Sequence, residues 1–228
     1  MKYFILLPVF FFIQSIAFSQ KIYLQVGINL TGISESNNGQ TEENSNRVRF
    51  HIGVKTIKKI VSNLGIETGI FLTSQACSTR TDLNSGTNIK SNFSATYFQV
   101  PLNLLYHFPI DEDAEMYFSA GPYIAWGLTG KSDGTASVGP ATTVLFREKV
   151  KFSKKETFIS KEDDAFYYKL KNSDYGLNFG FGVDLFSLSF RVNYRLGLAN
   201  INATQQLKNE DNNKYRVLSL AIAFPLNK

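Results

Sequence analysis

The chain of 228 residues carries 24 Lys and Arg against 19 Asp and Glu, a formal net charge of +5, with 14% aromatic residues and one cysteine. So mild a surplus, with no recognition helix and no basic surface interleaved with aromatics, leaves nucleic acid without a binding platform. The lone Cys77 excludes an internal disulfide framework and reads as a small, semi-buried hydrophobe near a strand end.

Residues 1–19 read as a secretory signal peptide. Lys2 is their only charge, 3–18 is almost continuously apolar, and Ala17 and Ser19 put small residues where a signal peptidase cuts, with Gln20 as the mature start. An anchor helix is the weaker reading: Gln14 and Ser15 interrupt a run already short for a span, and no basic stop-transfer cluster follows. No cysteine near the cleavage site marks a lipoprotein. Past residue 20 nothing resembles a membrane helix, so the exported chain, 20–228, is either a soluble secreted protein or a membrane barrel.

From there the sequence runs in stretches with every second residue apolar, the period that puts alternate side chains on opposite faces of a strand. The first, 22–33, sets Ile22, Leu24, Val26, Ile28 and Leu30 outward and Tyr23, Gln25, Gly27 and Asn29 inward. The second has Val48, Phe50, Ile52 and Val54 out, with Arg49, His51, Gly53 and Lys55 in. The third has Leu64, Ile66, Ile70 and Leu72 out, with Gly65, Glu67 and Gly69 in. The fourth has Phe98, Val100, Leu102, Leu104, Tyr106 and Phe108 out, with Gln99, Pro101, Asn103 and His107 in. The fifth has Met116, Phe118, Ile124, Trp126 and Leu128 out, with Tyr117, Ser119, Gly121 and Tyr123 in.

The sixth and seventh are the plainest. Tyr175, Leu177, Phe179, Phe181, Val183 and Leu185 oppose Gly176, Asn178, Gly180, Gly182 and Asp184; after 186–187, Leu188, Phe190, Val192, Tyr194, Leu196 and Leu198 oppose Ser189, Arg191, Asn193, Arg195 and Gly197. The eighth has Leu218, Leu220, Ile222 and Phe224 out, with Ser219, Ala221 and Ala223 in. The polar faces carry glycines and full charges, unlike an ordinary core. The apolar faces stay unbroken for about eleven residues, the length a tilted strand needs to cross a bilayer.

Long polar connections (34–46, 78–92, 131–173, 202–214) alternate with short ones (57–63, 109–115, 186–187). The predicted fold is therefore all-β: an eight-stranded antiparallel up-and-down transmembrane β-barrel, with long extracellular loops and short periplasmic turns. Closure leaves no unpaired edge in lipid. A ten-stranded reading, taking two more strands from 141–152 and 157–170, sets Glu148 and then Lys161, Asp163 and Lys169, or Glu162 and Asp164, against lipid. A midplane Lys or Arg there costs roughly 2–4 kcal/mol. The segment instead reads as an extracellular hairpin prolonging the fifth and sixth strands.

Tyr97-Phe98-Gln99-Val100-Pro101-Leu102 with Tyr106, Phe118-Ser119-Ala120-Gly121-Pro122-Tyr123, Asp174-Tyr175-Gly176-Leu177 with Gly180-Phe181-Gly182, and 194–201 follow one another in order. Together they resemble the strand motifs of PorT-like outer-membrane β-barrel proteins of Bacteroidota. The resemblance implies an eight-stranded outer-membrane barrel, usually of unassigned function, with a few members linked to type IX secretion.

Arg49, Lys55, Glu67, Asp184, Arg191 and Arg195 all point inward, and an eight-stranded barrel is just wide enough to be filled by side chains. They read as a structural lumen network in which Glu67 and Asp184 neutralise the cations. His51 and His107 lie at different depths, no nucleophile elbow appears, and 111–113 and 162–164 lack the spacing and glycine of a calcium loop. No catalytic residue, metal site or cofactor is expected. The sequence reads as a non-enzymatic outer-membrane protein, structural or interacting through its loops, with an accessory barrel of protein secretion and a narrow channel as alternatives. Its expected partners are outer-membrane lipid, the assembly machinery during insertion, and an unidentified protein at the extracellular loops.

Overall fold

Every alternating stretch becomes a strand, because pairing gives each backbone N–H and C=O a partner while the period of two separates the side chains. The computed structural model describes residues 20–34, 43–83, 87–111, 113–138, 142–153, 157–159, 169–201, 203–206 and 213–227, so the signal peptide at 1–19 lies outside the described residues.

Eight strands make the ring: β1 (Lys21–Ser34), β2 (Glu43–Val61), β3 (Leu64–Leu83), β4 (Thr87–Asp111), β5 (Ala114–Val138), β10 (Ser173–Leu185), β11 (Leu188–Gly197) and β13 (Lys214–Pro225). Each pairs antiparallel with its neighbours in chain order. β13 returns to β1 from Tyr23↔Pro225 to Ser34↔Lys214, and β5 meets β10 from Trp126↔Ser173 to Ala114↔Leu185. The sheet is a closed, eight-stranded antiparallel barrel. The shorter β6 (Thr142–Lys149), β7 (Lys151–Ser153), β8 (Thr157–Ile159), β9 (Lys169–Lys171) and β12 (Thr204–Gln206) lie between ring strands.

The outward face is apolar throughout: Phe50 is 68% exposed, Leu102 and Phe118 54%, Leu220 50%. A continuous belt of this kind is matched to lipid, whereas in water it would drive aggregation. Aromatic rings cluster on it toward the short turns, where Phe118 lies 5.7 Å from Phe108 and 5.2 Å from Phe181. Toward the other end Phe98 and Trp126 stand 6.0 Å apart.

Both ladders of β4 lapse beside a proline without changing register. β3–β4 pairing resumes at Phe71↔Gln99 after Thr68↔Leu102, across Pro101; β4–β5 resumes at Leu104↔Ala120 after Pro101↔Tyr123, across Pro122. Each proline lacks the N–H its position needs. Thr68 Oγ1 compensates by donating to the Pro101 carbonyl at 2.8 Å.

The strands run further than the apolar pattern. Most of 78–92 is not loop: β3 continues to Leu83, paired with Thr87. Within 131–173, β5 continues to Val138 and turns into β6, which pairs from Val138↔Thr142 to Lys131↔Lys149. The hairpin above the fifth strand is thus built from β5 and β6, and β10 joins β5 only from Trp126 downward. These extensions are rich in Ser, Thr and Asn on both faces, so they have no apolar period to betray them, yet the ladder still satisfies their backbone.

The lipid-facing assignment is checked on β13. Leu220→Arg, near mid-strand, should cost roughly 2–4 kcal/mol, and Leu226→Arg, beyond the strand end, about 0–1 kcal/mol. Heat-modifiable migration and yield in the outer-membrane fraction read the difference; equal assembly of both variants overturns the assignment.

Candidate functional site: the barrel lumen

Alternation delivers the inward side chains of all eight strands into one narrow space, where they stack in tiers. At the short-turn end Tyr23, Ile57, Leu105, Tyr117 and Ala223 pack together, and the Tyr117 and Ser189 hydroxyls bond at 2.9 Å. Gly182 makes room for that ring, since a Cβ there would lie 2.2 Å from Tyr117 Cζ. Lys59 Nζ meets Glu115 Oε1 at 2.6 Å, and His107 Nδ1 approaches Glu115 Oε2 to 3.3 Å.

The middle tier centres on Glu67. Arg191 Nη1 donates to its Oε2, Lys55 Nζ stands 3.4 Å from the same oxygen, and Asn103 Nδ2 donates to Oε1 at 2.8 Å. Arg191 Nη2 also donates to Ser119 Oγ at 2.7 Å. The carboxylate and both cations are buried, Lys55 completely. Lys55 Nζ further sits 5.3 Å from the centre of the Tyr23 ring, and Arg191 Cζ lies 5.3 Å from that of Tyr117.

Four residues from Lys55 on the same strand, a neutral amide network runs through His51. Its Nδ1 meets Asn29 Oδ1 at 2.8 Å and its Nε2 lies 3.2 Å from Gln25 Nε2, while Ser219 donates to Asn29 Oδ1 at 2.8 Å. Arg195 Nη1 donates to Gln99 Oε1.

The outer tier is apolar and aromatic. Phe93, Tyr97, Tyr123, Tyr215 and Val217 from the strands meet Val150, Leu170 and Ile201 from the connections. Tyr97 and Tyr215 share a hydroxyl–hydroxyl bond of 3.0 Å, and Tyr123 donates to Asp174 Oδ2 at 2.9 Å. Backbone bonds hold the connecting segments down: Val150 N to Gly130 O at 3.0 Å, Gly127 N to Asn172 O at 2.8 Å, and Lys171 N to Ile201 O at 2.8 Å. Phe152 settles over Gly127, where any Cβ would lie 2.1 Å from its ring. Segments that read as outward loops instead fold over the mouth and cork it.

Residues 18–203 match the family model of the outer membrane protein beta-barrel domain. The chain belongs to this family. Among solved structures it resembles Ail, the attachment invasion locus protein of Yersinia pestis, at 14% identity over 91% of this chain and 99% of that one, with a TM-score of 0.42. It also resembles OprG from Pseudomonas aeruginosa, at 10% identity over 92% and 97%, with a TM-score of 0.46. Neisserial surface protein A aligns at 10% identity over 89% and 96%, with a TM-score of 0.38. No curated protein matches the sequence.

Of the six lumen charges predicted for this outer-membrane barrel, the structure joins three: Lys55, Glu67 and Arg191. Arg195 points inward but meets the amide of Gln99 rather than an acid. Asp184 lies at the short-turn end, half-buried, opposite Ser189, and its Oδ1 has no hydrogen-bond partner among the described residues. Arg49 is half-buried, and among the described residues its hydrogen-bond partner is the Val48 carbonyl, at 3.5 Å. The predicted neutralisation of Arg49 and Arg195 by Glu67 or Asp184 is therefore not found. Spacing explains it for Arg49: six residues along β2 from Lys55 place it about 20 Å from the level of Glu67.

Cys77 is fully buried within the outer cluster, deeper than a semi-buried reading places it. Asn103, Ser119 and Gln99 escaped notice as neutral residues, although their inward parity was readable. Val150 and Leu170 lay in the β-like stretches 141–152 and 157–170 and Ile201 closed the motif 194–201, but nothing in their spacing showed that the three meet over the barrel mouth.

Removing Glu67 leaves two buried cations facing each other. Glu67→Ala should cost about 3–5 kcal/mol, while Arg49→Ala should change stability by no more than about 0.5 kcal/mol. Urea unfolding in detergent measures both, and an unchanged midpoint for Glu67→Ala removes the network from the account of stability.

Proposed function

We propose that the protein is exported by a signal peptide at 1–19, matures at Gln20, and serves as a plugged, non-catalytic barrel acting structurally or through its extracellular segments. The observation that carries this reading is that packed side chains obstruct the lumen at both ends, around Tyr117 and at the corked mouth, with the Glu67 network between them beside a small enclosed space. The extensions of β3, β4 and β5 with β6 supply an extracellular ribbon suited to contact with a partner. Both histidines support the non-catalytic part: His51 is engaged by amides, and His107 packs beside Glu115 and 5.8 Å from the Tyr117 ring.

A second reading, an accessory barrel of protein secretion, is supported by the PorT-like motifs at 97–102, 118–123, 174–182 and 194–201. A deletion strain assayed for secretion, beside affinity capture of the barrel in detergent, separates the two.

A filled lumen should give no steady single-channel conductance in planar bilayers. Reproducible ohmic steps from the wild-type protein would replace the plug with a channel. Orientation is checked on intact cells: added protease should cut within 131–173 and spare 109–115, and cleavage of the short turn in sealed cells inverts the topology.

A further inference from the structure

We propose that a cavity at mid-height in the lumen binds a small monovalent anion of the halide class, held by Arg195. The cavity measures about 60 Å³, and its lining includes Gln25, His51, Glu67, Gln99, Arg191 and Arg195. One water needs about 10–15 Å³ on this measure, so there is space for roughly four to six waters, or for a halide with part of its hydration shell.

The charge balance of the walls is positive. Glu67 is the cavity's carboxylate, and Arg191 and Lys55 already share it. Arg195 is then a second guanidinium, 6% exposed, with one neutral partner at Nη1 and the Tyr123 ring 5.3 Å from its Cζ. Its Nε and Nη2 have no hydrogen-bond partner among the described residues, nor does Arg191 Nε. Arg195 makes no ion pair within 4 Å of a carboxylate among the described residues; the nearest influence is the buried Asp174, which accepts from the Tyr123 hydroxyl at Oδ2 while its Oδ1 has no hydrogen-bond partner among them.

A buried cation with free donors draws in an anion or shifts out of its site, because an uncompensated charge in a low-dielectric interior is expensive. Arg191 and Arg195 stand four residues apart on β11, on the same face, so both present donors to one space. Gln25 Oε1, an acceptor without a partner among the described residues, suits the water that would complete the anion's shell.

The protein is refolded in detergent in sodium chloride, sodium bromide or sodium gluconate at equal ionic strength, because an anion enclosed during folding exchanges slowly afterward. At about nine times the dissociation constant, a ligand bound only by the folded state raises the folded-to-unfolded ratio about tenfold. Chloride and bromide should give at least that gain over gluconate in the wild type, and Arg195→Gln should abolish it; the comparison with the variant removes general salt effects. Crystals grown in bromide should show anomalous density beside the Arg195 guanidinium. Equal ratios in all three salts, a halide preference that persists in Arg195→Gln, or water alone in the bromide crystals overturns the proposal. If Arg195→Gln fails to fold, the bromide density in the wild type decides.

Discussion

In hydrocarbon no water is available to a free N–H or C=O, and this requirement governs the rest of the molecule. A sheet meets it only by closing, which is what the β13–β1 and β5–β10 pairings achieve. Closure with eight strands then fixes the bore at about the width of the side chains that fill it. A charged residue of inward parity deep in the bore is therefore costly unless a partner reaches it. The charges of the middle tier are a consequence of this confinement: Lys55 and Arg191 are tolerated because Glu67 and two aromatic faces reach them.

The three tiers answer that confinement differently. Near the short turns, tyrosine rings fill space and keep their hydroxyls bonded, as Tyr117 does with Ser189, which avoids burying charge. At mid-height the chain buries ions, and the arrangement is lopsided: one carboxylate serves two cations while Arg195 has an amide. Truncating Glu67 costs more than the cluster contributes over an apolar filling, because it leaves two unpaired cations behind. The outer tier returns to apolar packing, and here the strands do not suffice. Tyr97, Tyr123 and Tyr215 leave a mouth that Val150, Leu170 and Ile201 complete.

The barrel was legible because lipid outside and polar groups inside impose a strict period of two. From Tyr23 to Ala223 that parity alone sorts inward from outward residues. Parity says nothing of height, and this is why it groups Arg49 with Glu67 although β2 holds them far apart. Nor could it show the ladders beyond the membrane, where Ser, Thr and Asn occupy both faces of β3 and β4 and no contrast remains to be read. The cork was hidden for a related reason. Val150 and Leu170 lie twenty residues apart in one connection and Ile201 in another, and they meet through the β7–β9 pairing and the backbone bonds to Gly130 and between Lys171 and Ile201.

Two obstructions of different origin thus stand in series along one bore. The outer one rests on connecting segments held to the wall by backbone bonds and by the buried side chains of Val150, Leu170 and Ile201. The middle one is made of side chains rooted in β2, β3 and β11, and clearing it means separating Glu67 from Arg191 and Lys55 inside a low-dielectric interior. The bore is thus closed twice over, once by apolar residues of the connecting segments and once by charges borne on the strands.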